Sequence, residues 1–156
     1  MPSETTSLPF QMGSLIGTIA IPSCPSSVLS SNNRSRRGHQ VGKALSKDTE
    51  IFKKEANAEA LNQWGYLPTS QPLDVLVLLV WPRRMILPDI DALASYCKPH
   101  LDGFNGVVWE DDSQIRRIMY EQRYVEPGED LPHGCTVFQV HSHIPIPRKV
   151  TAYEQA

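Results

Sequence analysis

The stretch that most narrows the folds open to this chain is Leu-Asp-Val-Leu-Val-Leu-Leu-Val-Trp, residues 73–81. It follows a loop running from Pro68 to Pro72 and is closed by Pro82. A membrane span needs roughly 20 apolar residues, so this run is far too short to be one and has the length of a strand. Its near-continuous apolar, Val-rich composition is that of a central strand of a sheet.

The flanking segments supply partners for that strand. Residues 14–21 read as a first strand, and residues 22–37, rich in Ser, Pro and Asn, as a mobile basic loop. Ser46 is placed to cap a helix whose first turn holds Asp48 and Glu50, with Ile51, Phe52, Ala56, Ala60 and Leu61 as its apolar face and an end near Trp64-Gly65. Residues 92–104 read as a second helix, interrupted by Pro99, which biases Lys98 away from helical geometry. Asn105-Gly106 predicts a tight turn, and residues 115–125 and 135–141 read as two further strands. Strands and helices that interleave through short connections predict an α/β fold, a small mixed β-sheet with helices packed on it. The 156 residues suit one domain, expected over 14–145, with a flexible segment over 1–13 and a tail over 146–156.

Charge narrows the function. A net charge of −2 argues against a chain that coats nucleic acid indiscriminately, but its distribution is uneven. Arg34, Arg36, Arg37, Lys43, Lys47, Lys53 and Lys54 face only Asp48 and Glu50, whereas residues 89–130 hold ten acids against four bases. One region is suited to phosphate and another to cations. No Lys or Arg precedes the mildly apolar residues 15–21, so a secretory signal is not expected and a cytoplasmic protein is. Cys24, Cys97 and Cys135 are odd in number and widely spaced, which reads as reduced thiols rather than a disulfide framework.

The acids concentrate in Pro88-Asp89-Ile90-Asp91 and Trp109-Glu110-Asp111-Asp112-Ser113-Gln114-Ile115. On extended backbone Asp89 and Asp91 project to one side and can share a cation, with Asp112 as a third ligand. Magnesium favours such oxygen ligands, polarises a phosphate and lowers the pKa of an attacking water. Acidic pairs are also common in surface turns, so spacing leaves both readings open.

The stretch Pro88-Asp89-Ile90-Asp91-Ala92-Leu93, with Lys98, Asp102, Asn105-Gly106 and the Asp111-Asp112-Ser113-Gln114 turn, resembles the RusA family of Holliday junction resolvases. Upstream, Ser31-Asn32-Asn33-Arg34 resembles that family's Ser/Asn-rich loop more loosely. The resemblance implies a RusA-like single domain, a homodimer that binds four-way DNA junctions, and paired nicks made with magnesium in recombination and repair. It implies Asp89, Asp91 and Asp112 as catalytic metal ligands and Lys98 as the catalytic lysine, with Asn33, Arg34, Arg36, Arg37 and Lys43 on DNA. Two departures stand out: Ala92 replaces the family's Asn, and Asp91 to Lys98 spans seven positions where the family has four. Either the three extra residues loop out and Lys98 keeps its post, or the site loses Lys98; Lys98 also has the spacing to pair with Asp102 across one helical turn.

Two further readings stay open. A binding-only relative would hold DNA without cutting it. A zinc-stabilised interaction module would use His133, Cys135, His141 and His143, if a hairpin brings His141 and His143 near Cys135; that spacing matches no familiar zinc pattern, so no stoichiometric zinc is expected. Trp109 could stack on a base at an opened junction, but a Trp at a strand end is more often core.

Overall fold

Residues 11–25 and 39–146 are described by the computed structural model, the first part of the helix that begins at His39 by its backbone only. The elements run β1 (Met12–Ile21), α1 (His39–Gln63), β2 (Leu73–Trp81), a 3-10 turn (Ile90–Ala92), α2 (Leu93–Gly103), a second 3-10 turn (Asp112–Gln114), β3 (Ile115–Tyr124) and β4 (Cys135–His143). The four strands form one mixed sheet in the order β1-β4-β2-β3, with β2 parallel to β3 and the other pairs antiparallel.

The apolar run is β2, residue for residue, and it lies between β4 and β3. Its alternate residues Val75, Val77, Leu79 and Trp81 are buried with Phe138 and Val140 of β4 and Ile19 and Ile21 of β1. Both helices pack on this face: Tyr96 of α2 meets Trp81 edge-on, and His100 of α2 and Phe104 just after it meet Phe138. On the opposite face Leu76 and Leu78 are only half-buried, so β2 is central without being covered equally on both sides. The expected α/β fold with a small mixed sheet and helices packed on it is the one observed.

Several boundaries differ from the reading of the sequence. Helix α1 begins at His39, so Ser46 lies inside it rather than capping it. Of its expected apolar face Ala56 and Ala60 are buried and Phe52 packs on the core, but Ile51 and Leu61 are largely exposed, because only one stripe of the helix meets α2 and β1. Pro99 does not interrupt α2: buried Tyr96, Cys97, His100 and Leu101 around it pin the helix to the sheet, and that packing outweighs the one backbone bond a proline cannot make. Met12 and Gly13, read as part of a loose terminus, belong to β1. No helix among the described residues is long and apolar enough to cross a membrane.

A polar cluster ties the ends of the strands together. Asp74, the one acid in the apolar run, is almost fully buried and accepts hydrogen bonds from Arg117 of β3 (3.1 Å) and from His143 of β4 (2.8 Å). Arg117 donates further to the carbonyls of Gln11 and Ile144. A buried carboxylate is tolerated because it is paired and hydrogen-bonded.

Candidate functional site

The second acidic motif is built as a braced loop. Phe104, Val108 and Trp109 are buried, and the Trp109 indole N–H donates to the Asn105 side-chain oxygen at 2.7 Å, so Trp109 is core rather than a stacking platform. Gly106, at φ 81°, turns the chain in a conformation that favours glycine, and its N–H reaches the Trp109 carbonyl at 2.7 Å. The Gln114 amide oxygen accepts the N–H groups of Glu110 and Asp111, both at 2.9 Å, while its NH2 donates to the carbonyls of Thr69 (2.7 Å) and Gln71 (3.0 Å). Every polar position of that side chain is used to hold the acidic loop against the segment before β2. Ser113 donates to Asp111 at 2.6 Å, which holds the Asp111 carboxyl below its ordinary range.

Asp112 leaves this loop toward α2. Lys98 reaches Asp102 at 2.6 Å, one turn along the helix, and Asp112 at 3.3 Å. The Asp102 hydrogen bond, followed by that to Asp112, keeps Lys98 above the usual lysine range. The structure therefore brings Lys98, Asp102 and Asp112 together, and the pairing of Lys98 with Asp102 foreseen from their spacing is made. A shallow pocket of about 220 Å³ beside them adds Arg116 to the same wall. A second pocket on the other side of Asp102 is lined by Lys53 and Lys54 of α1.

Asp89 and Asp91 are elsewhere. They are not on extended strand as expected; Asp89 is extended but Asp91 lies within the 3-10 turn that leads into α2. The three extra residues do not loop out. They are absorbed into an unbroken helix, from which Lys98 contacts Asp112, while Asp89 and Asp91 lie before its first turn. Pro88 is held beside the far end of β3, where its carbonyl accepts from Gln122 at 2.7 Å, and Gln122 in turn accepts from the Trp81 indole at 3.1 Å. Carboxylates sharing one magnesium must bring oxygens within about 2 Å of it, and so within about 4 Å of each other. Among the described residues no three His, Cys, Asp or Glu side chains stand close enough to share an ion. As arranged, Asp89, Asp91 and Asp112 do not fit a common magnesium site.

Other candidate residues resolve unevenly. Asn33, Arg34, Arg36 and Arg37 lie outside the described residues, and Lys43 is described only as backbone within α1. The hairpin needed for a zinc cluster does not form: Cys135 begins β4, His141 and His143 lie at its other end, and His143 is engaged by Asp74. The three thiols are unbridged; Cys97 is buried and Cys24 and Cys135 are half-buried, with burial pushing Cys97 up to about 12 and Cys24 up to about 11. Sequence reasoning missed the braces. Gln114 was visible only as a motif letter, and nothing in the sequence linked Gln122 to Pro88 or Lys53 and Lys54 to Asp102.

Comparison with known proteins gives one family. The model described as Endodeoxyribonuclease RusA matches residues 25–132, which include both acidic motifs, Lys98 and Asp102. No curated protein matches the chain.

Proposed function

Because the chain belongs to the endodeoxyribonuclease RusA family, we propose that it is a cytoplasmic homodimer that binds four-way DNA junctions, magnesium-dependent nicking of the phosphodiester being the reaction that family membership implies. The observation that carries the DNA reading is the cations that line the two pockets beside the family-matched acids, pockets that hold one further acid, Glu50. Lys98 and Arg116 flank Asp112, and Lys53 and Lys54 flank Asp102, so a phosphate backbone meets positive charge on either side of this edge of the molecule. Arg34, Arg36 and Arg37, which lie outside the described residues, add to the basic charge of the sequence. Catalysis by the family's route would need Asp89, Asp91 and Asp112 around one cation with Lys98 beside them.

A synthetic four-way junction incubated with the full chain, with and without magnesium, tests the reading. A junction that shifts supports the DNA reading, and symmetric nicks that require magnesium add the family's reaction to it; a chain that neither binds nor cuts a junction, yet is folded, rules it out. The separation of Asp89 and Asp91 from Asp112 favours a second reading, recognition of the junction without cutting.

A further inference from the structure

We infer that in this chain the two acidic motifs form separate half-sites that do not share an ion, Asp112 taking Lys98 as its counter-ion, so that the protein holds junction DNA without hydrolysing it. The DNA clause rests on the function proposed above; the separation of the half-sites rests on the fold alone.

The two motifs sit at opposite ends of one crossover. Strands β2 and β3 run parallel, and α2 connects the far end of the first to the near end of the second. Asp112 lies three residues before Ile115, where β3 begins, whereas Pro88 is bonded to Gln122, seven positions further along the same strand. Seven strand residues span roughly 23 Å between Ile115 and Gln122, the backbone positions next to which the two motifs are anchored. Measured along the helix instead, Asp91 precedes Lys98 by seven residues, roughly 10 Å of rise, where a four-residue spacing would give roughly 6 Å. Two carboxylates on one magnesium tolerate only about 4 Å between oxygens.

The gap is braced. Ala92 and Leu93, directly after Asp91, are buried in the core, and Tyr96 within the lengthened helix packs edge-on against Trp81. Gln122 fixes Pro88, and Tyr124 donates to the Met85 carbonyl at 2.8 Å. Moving Asp89 and Asp91 toward Asp112 would unpack these contacts. At the other half-site one ammonium already serves two carboxylates, Asp102 and Asp112, which reduces their repulsion of a phosphate without a metal.

The test uses the isotope-labelled full chain titrated with manganese, reading paramagnetic broadening of the amide resonances of Asp89, Asp91 and Asp112. The expected result is that the two groups never broaden together at one affinity. Ala94→Asp, which adds a carboxylate at an exposed position one turn before Lys98, is the positive control and is expected to give joint broadening at positions 94 and 112. In parallel, a four-way junction is expected to shift equally in EDTA and in magnesium at matched ionic strength and to remain uncut. Joint broadening of Asp89, Asp91 and Asp112 in the unaltered chain overturns the separation. Magnesium-dependent nicking that is lost in Asp112→Asn overturns the claim that DNA is held uncut. Absence of any junction shift refutes the DNA clause and the proposed function with it, while the manganese result still decides whether the acids are apart.

Discussion

His100 on α2 is fully buried, and neither ring nitrogen has a hydrogen-bond partner among the described residues. Phe52 and Phe138 face it at 5.6 and 5.8 Å, so the imidazole is used as a flat apolar filler. Burial pushes its pKa down from 6.5 to about 4. The unfolded chain therefore takes up this proton first, and stability falls as pH drops from about 6.5 toward about 4, by up to roughly 3 kcal/mol, then levels. Glu129, held down to about 2 chiefly by Arg123, acts in a lower window, below its ordinary 4.5. Urea midpoints across pH 4–7 should show the slope in the natural chain and lose most of it in His100→Leu; an equal slope in both would acquit His100. Gln114 is the contrasting case, a half-buried amide with donors and acceptors all engaged. Gln114→Glu keeps the shape and the two accepted bonds but sets a carboxylate against the carbonyls of Thr69 and Gln71. Leaving those partners unpaired should cost about 1–3 kcal/mol in urea denaturation. A change of only a few tenths would show that the acidic loop does not depend on this brace.

Between elements, the closest approach near the site is that of α1 and α2 at Gly103. A Cβ there would lie 2.4 Å from the Lys53 carbonyl oxygen and 3.0 Å from the Ala56 Cβ, and Asn57 donates to the Gly103 carbonyl at 3.1 Å. Alanine gains up to about 1 kcal/mol of helix propensity, but a backbone oxygen cannot rotate away, so Gly103→Ala should be net destabilising by about 1–3 kcal/mol. Equal or higher stability by urea titration would mean the helices can part without cost. What the sequence disclosed about elements follows the same logic. Period and length identified β2 to the residue and β3 and β4 to within two, because alternation and proline boundaries are local. The start of α1 and the survival of α2 through Pro99 were not legible, since both depend on what the helices pack against. The acids were legible as motifs, but their setting was not: a segment read as interrupted at Pro99 forms one unbroken helix, which sets Asp91 roughly 10 Å of rise before Lys98.

For the whole molecule, the helices among the described residues lie on one face of the four-stranded sheet, and the other face is left to be accounted for. There Leu76 pairs in register with Met119 and Gln139, and Leu78 with Glu121 and Val137, so Leu76, Leu78, Met119 and Val137 form an apolar centre that is half-buried. An apolar sheet face of this kind is ordinarily matched by another surface. If the chain is a homodimer, a two-fold axis through this face would let the same patch cover itself, and a stable pairing needs about 800 Å² from each partner. A charge at the middle of such a patch would be desolvated without a partner, which costs far more than a neutral substitution. Met119→Glu changes a half-buried residue on the outermost strand, next to a Glu already present at 121, so the separated chain can keep the new side chain in water. Sedimentation equilibrium should therefore report a dimer for the natural chain and a monomer for Met119→Glu, with near-identical far-ultraviolet circular dichroism. A Met119→Glu protein that remains dimeric would move the interface off this face, and a natural chain that is monomeric at tens of micromolar would remove the homodimer itself.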